Sequence, residues 1–173
     1  MLPSGVAVTG GTAPMLPDRH PSRRAARGFT MLEVMLVIGI GAILVAIAIP
    51  SYESYVERTR VAKAVIDIAS ISSAISRYET DNRAFPDSLA DVGAAGMRDP
   101  WGEPYQYVNH EEKASRGKWR RDKNIVPINT DFDVFSTGKD HDSKPQLTFK
   151  TSRDDVVRAN NGRFVGLASE YDP

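Results

Sequence analysis

The chain has 173 residues, 22 basic and 22 acidic side chains, a formal charge of zero at neutral pH, and no cysteine. That length bounds one modest domain plus appendages, and the balanced charge gives no footing for a nucleic-acid partner. Without cysteine there is neither a disulfide nor a thiolate nucleophile, so whatever folds here is held by packing or by a metal ion.

Residues 1–28 are rich in Gly, Pro, Ser, Ala and Arg and show no sustained apolar period. They read as an unstructured leader, within which Met15 offers an internal start. Arg19, Arg23, Arg24 and Arg27 stand against the single acid Asp18. Removal of the leader leaves 18 basic against 21 acidic side chains, a formal charge of −3.

From Phe29 to Ile49 the only charge is Glu33. A helix of that length, rising about 1.5 Å per residue, covers a hydrocarbon core of roughly 30 Å. The basic flank upstream predicts a cytoplasmic N-terminus and an outward C-terminal part. Glu33 is costly inside such a segment and needs a partner. On one reading it lies near the interface, snorkels to water and favours the positive end of the helix dipole. On the other, a peptidase cuts between Gly28 and Phe29, and Glu33 neutralises the new cationic α-amine of Phe29, within one subunit or between neighbours. A rival cleavage, by ordinary signal peptidase at Ala46-Ile47-Ala48, would leave a protein beginning at Ile49.

Pro50 falls where the apolar run ends, yet helical periodicity resumes beyond it. Val61, Val65, Ile68, Ile71, Ile75 and Tyr78 recur at spacings of three and four, with Glu57, Arg58, Lys63, Asp67 and Arg77 left for the wetter sides. This predicts an amphipathic helix packed on a small sheet and ending around Asp81-Asn82. Turn residues then multiply around Leu89, Val92 and Met97, suggesting a loop with one short helical turn. Asp99-Pro100-Trp101-Gly102-Glu103-Pro104 turns into an alternating aromatic strand at Tyr105-Gln106-Tyr107-Val108. A second strand is predicted at Asp131–Ser136, with Phe132, Val134 and Ser136 on one face and Asp133 and Phe135 on the other. The charged residues between, 109–130, form a long excursion. Phe164–Ala168 is either a last strand or a packing segment. There is no G-x-S-x-G elbow, no phosphate-binding glycine loop and no H-E-x-x-H, and neither His110 nor His141 has a partner at zinc spacing.

The run Arg27-Gly28-Phe29-Thr30-Met31-Leu32-Glu33, a basic leader ending in Gly, then Phe, with Glu four residues on, resembles type IV prepilins and the prepseudopilins of type II secretion. Asp99–Tyr107 and Phe132–Asp140 are similar to the D-P-W-G-x-P-Y-x-Y and F-D-[apolar]-[aromatic]-S-x-G-x-D segments of major pseudopilins. The resemblance implies cleavage after Gly28 by a prepilin peptidase, N-methylation of Phe29, and assembly of the mature subunit into a helical filament.

It also implies a calcium site in the loop after the second strand. Asp140 would match the first acidic ligand, Asp154 or Asp155 the later acidic pair, and Thr137 and Lys139 would offer backbone carbonyls, with Asp142 a further oxygen donor for a hard cation. The loop is not an EF-hand: Pro145 stands where the glycine belongs, and no glutamate closes it. The same acids read equally as turn residues at Asp140 and Asp142, and as the N-cap and acidic first turn of a short helix at Ser152–Asp155 stopped by Asn160-Asn161-Gly162.

The expected architecture is α+β and pilin-like, a long N-terminal helix packed on a small antiparallel sheet. It is divided into a leader (1–28), the helix (29–80, spanning the membrane over 29–50) and a β-rich domain (81–173). The expected function is structural and non-enzymatic, as a subunit of a type II secretion pseudopilus. The expected partners are copies of the chain, the prepilin peptidase, the inner-membrane assembly platform, other pseudopilins and the inner membrane, with the C-terminal domain in the periplasm. A type IV pilus subunit, and a periplasmic binding domain carried by a signal peptide or an anchor, are the alternatives.

Overall fold

The computed structural model describes residues 28–172. The leader and its charge asymmetry, including Arg27, therefore lie almost wholly outside the described residues. Those up to Ile43 form one unit and those from Leu44 another.

Helix α1 (Met31–Asn82) passes through Pro50 without ending. It stops because Arg83 adopts a left-handed conformation (φ 56°) and sends its N–H to the Glu79 carbonyl at 2.7 Å, closing the last turn without a glycine. The stop falls at the predicted place. Hydrogen-bonded turns follow, where a short helical turn had been expected around Leu89–Met97.

Four antiparallel strands complete the unit that begins at Leu44: β1 (Gln106–Asn109), β2 (Phe132–Ser136), β3 (Val156–Ala159) and β4 (Phe164–Leu167), in the order β1-β2-β3-β4. Strand alternation sends Phe132 and Val134 to one face and Phe135 to the other, as predicted. On the first face Phe132, Val134 and Val156 pack against Ala64, Ile68, Ile71 and Ile75 of α1, with Tyr105 and Ala94. Each large side chain so buried contributes roughly 1.5–3 kcal/mol of transfer free energy. On the second face Val108, Phe135, Val157 and Ala159 meet Ile128, Leu147, Ala168 and Tyr171 from the connecting segments. The excursion between β1 and β2 therefore contributes Ile128, with the half-buried Trp119, to the second core.

The segment after Ser152 corrects an expectation. Asp155 is followed not by a helix but by β3, paired to β2 through Phe135 and Ser136 and to β4 over its whole length. Asn160 and Asn161 (φ 52° and 55°) and Gly162 (φ 87°) make the reversal into β4, a left-handed turn that asparagine and glycine tolerate.

Candidate functional site

The first turn of α1 is built by Thr30. Its Oγ1 accepts the Glu33 N–H at 3.1 Å and its carbonyl accepts the Val34 N–H at 3.2 Å, which makes Thr30 the N-cap and Glu33 the third helical residue. T-x-x-E is a capping-box spacing, and the acidic side chain stands where the helix dipole favours it. This role of Thr30 was open to reading in the sequence and was missed.

Gly28 and Phe29 precede the helix, and Phe29 is 80% exposed. A side chain at Gly28 would meet nothing within 4 Å, so the fold itself does not demand glycine there. The apolar stretch of α1 that follows is not covered by the chain: its most apolar 18-residue window has none of its residues buried. A core helix of a soluble domain would be mostly buried, and this one is as exposed as a lipid-facing span. Ala46-Ile47-Ala48 lies within α1.

The segments Asp99–Tyr107 and Phe132–Asp140 are structural ties. Asp99, buried, accepts the N–H groups of Trp101 (3.0 Å) and Glu103 (2.9 Å) on Oδ1 and the Ser136 hydroxyl (2.5 Å) on Oδ2. Trp101 Nε1 donates to Glu57 at 3.2 Å and the Tyr105 hydroxyl to Asp67 at 2.9 Å, so the turn is fastened to α1 by two residues that the helical period leaves on its wetter sides. Burial, reinforced by the Asp67 carboxylate, raises the Tyr105 phenol well above its ordinary range. In the second segment, Gly138 (φ 68°) has no room for a side chain: a Cβ there would stand 2.5 Å from the Asp154 carbonyl oxygen.

That close approach brings the 137–145 loop onto Asp154, whose Oδ2 accepts the N–H groups of Lys139 (2.9 Å) and Asp140 (3.1 Å). Asp140 in turn accepts the Asp142 N–H at 2.9 Å, as a turn residue does, and both side chains are exposed. Asp155 is fully buried and points elsewhere, pairing through Oδ2 with the Arg120 guanidinium and accepting the Ser143 hydroxyl at 2.6 Å. Burial pushes its carboxyl up to about 6 against the pull of Arg120. Its Oδ1 and the Thr137 hydroxyl are buried without a partner.

Calcium takes six to eight oxygens, several of them carboxylate. Among the described residues no group of three or more His, Cys, Asp or Glu side chains is placed to hold a metal ion. The expected ligands Asp140, Asp142, Asp154 and Asp155, with Thr137 and Lys139, share one loop region but do not converge on one point. The one buried carboxylate among them already faces a cation. The set does not fit calcium as it stands.

Two further buried polar knots hold the sheet to its connections. His110 Nε2 lies 2.9 Å from Asp133 Oδ2, with the imidazole stacked on Trp119. Asp133 also accepts the Arg120 N–H and the Asn129 amide, each at 2.8 Å. Arg158 grips Asp131 through both terminal nitrogens (2.8 and 2.6 Å) and lies over the Phe132 ring at 4.0 Å. Burial alone would raise the Asp131 carboxyl, but the Arg158 hydrogen bonds prevail and hold it below the usual range. These groups are closed off by their neighbours and act as struts.

Comparison with known proteins agrees with this geometry. Residues 23–49 match the family model of the prokaryotic N-terminal methylation motif. The type II secretion system core protein G of Pseudomonas aeruginosa is 32% identical over 139 residues, covering 68% of this chain and 87% of that protein. The core protein G of Vibrio cholerae is 30% identical over 139 residues, covering 68% and 83%. A fimbrial protein of Neisseria meningitidis is 34% identical over 82 residues, covering 47% and 48%. No solved structure gives a significant match. An exposed apolar helix with a methylation motif at its start, fastened to a four-stranded sheet by the D-P-W-G and F-D-V-F-S-T-G segments, places this chain in the type II secretion core protein G family, the major pseudopilins.

Proposed function

We propose that the chain is the structural subunit of a type II secretion pseudopilus, made as a precursor, cut between Gly28 and Phe29 by a prepilin peptidase, methylated on the new Phe29 amine, and assembled with copies of itself into a periplasmic filament. The observation that carries this is the uncovered apolar part of α1, capped at Thr30 and Glu33 and preceded by a glycine for which the fold has no use. The requirement for Gly28 then comes from outside the fold: a small residue lets a peptidase close on the backbone. Before assembly the apolar segment anchors the subunit in the inner membrane, with the residues beyond Pro50 on the periplasmic side. The matches to core protein G run over 139 residues and the fimbrial match over 82, which favours secretion over a pilus.

In this reading Glu33 has one task after cleavage. Its carboxylate, one helical turn from the new N-terminus, compensates the Phe29 amine as the subunit docks in apolar surroundings, where an unpaired amine is costly. Glu33→Ala should be cut and inserted normally yet give little filament. Filament yield is measured beside precursor processing; assembly of the alanine variant at the unsubstituted level removes Glu33 from the mechanism.

A further inference from the structure

We propose that the Arg120 guanidinium is the resident cation of the 137–155 region, doing permanently what a bound metal ion would do, so that this chain keeps its loop in place without calcium. The inference is independent of the export reading and concerns only how the folded unit is held.

Arg120 lies in the connection between β1 and β2, and its side chain is 2% exposed. Its backbone is fixed on both sides: the N–H goes to Asp133 Oδ2 at 2.8 Å, and the carbonyl accepts the Ile128 N–H at 3.0 Å. From there the guanidinium reaches under the loop and lies over the Phe135 ring at 4.2 Å. Nη1 donates to the Ser143 hydroxyl at 2.6 Å and to the Lys144 carbonyl at 2.8 Å, and Nη2 donates to Asp155 Oδ2. Ser143 closes the ring by donating to the same carboxylate oxygen at 2.6 Å. A carboxylate, a hydroxyl and a backbone carbonyl thus converge on one buried positive charge, the oxygen chemistry that a hard divalent cation would collect.

The arrangement also excludes a second cation. A divalent ion sharing Asp155 would lie a few ångströms from the guanidinium in a poorly screened interior, where like charges repel strongly. Asp154, the neighbouring acid, already accepts the N–H groups of Lys139 and Asp140 through Oδ2. Because a guanidinium does not lose its proton in proteins, the cation of the clamp depends on neither pH in the ordinary range nor metal supply, and its Asp155 partner, pushed up to about 6, is ionised at neutral pH.

The test uses the full mature chain in detergent micelles, with thermal unfolding followed by the fluorescence of Trp101 and Trp119, both in the unit that begins at Leu44. The unsubstituted protein should melt at the same temperature in excess chelator and in millimolar calcium, whereas saturating a real site would raise the midpoint by several degrees. Arg120→Met should melt several degrees lower in chelator. A calcium-dependent rise in the unsubstituted protein overturns the proposal, and so does an Arg120→Met variant that melts where the parent does. Should Arg120→Met fail to fold, the comparison on the unsubstituted chain still decides.

Discussion

Gly138→Ala tests how tightly the loop after β2 is closed on the segment before β3. The backbone there is left-handed, which costs a residue with a Cβ about 1–2 kcal/mol. The new methyl carbon would sit 2.5 Å from the Asp154 carbonyl oxygen and 2.8 Å from both its carbonyl carbon and Oδ2. Two of those three atoms are backbone, so relief requires the loop to lift. Lifting it stretches the Lys139 and Asp140 hydrogen bonds to Asp154, each worth about 1 kcal/mol net. The sum is roughly 3–4 kcal/mol, a large share of a domain stability of about 5–15 kcal/mol. Gly96→Ala is the control, because a Cβ there meets nothing within 4 Å and its φ is not positive. Denaturant titration of both variants, read by tryptophan fluorescence, gives the difference. Gly138→Ala within about 1 kcal/mol of Gly96→Ala would refute the close approach on which the loop geometry rests.

Other substitutions probe the remaining ties. Gly28→Leu should leave the fold unchanged, since nothing lies near that position, yet accumulate as an uncut membrane-bound precursor on immunoblots; normal processing of this variant counts against cleavage at Gly28. Asp131→Asn should cost about 2 kcal/mol at neutral pH by halving the partnership with Arg158. The Asp131 carboxyl is held below its unfolded value, so its contribution is present above the ordinary carboxylate range and is lost as pH falls through the folded value. The gap between Asp131→Asn and the parent should therefore narrow in acid unfolding curves below about pH 4, and a gap independent of pH would contradict the ion pair.

The helix was legible because its signals are local. The apolar run from Phe29 to Ile49 and the three-and-four spacing of Val61 to Ile75 are written into consecutive residues, as is the alternation that puts Phe132 and Val134 on one face of β2. β3 was not legible. Val156–Ala159 is only four residues long, and Ser152-Arg153-Asp154-Asp155 before it has the composition of a helix start; pairing with β2 and β4, distant in sequence, overrides that local preference. Arg120 was hidden for a similar reason. It sits in a charged stretch that reads as solvated excursion, and nothing nearby announces that Asp155 will bury it. The acids expected to gather around calcium illustrate the limit of spacing: adjacent Asp154 and Asp155 point to different partners, one to backbone N–H groups and one to Arg120. Spacing brought them into one region but could not give their directions.

The central claim, that a prepilin-type maturation at the start of α1 converts this chain into a filament subunit, is tested most directly by the intact mass of the protein recovered from membranes of cells that contain the peptidase. The account predicts a single species that begins at Phe29 and carries one methyl group on its N-terminal amine. A mature protein beginning at Ile49, or a chain that keeps residues 1–28, would contradict it.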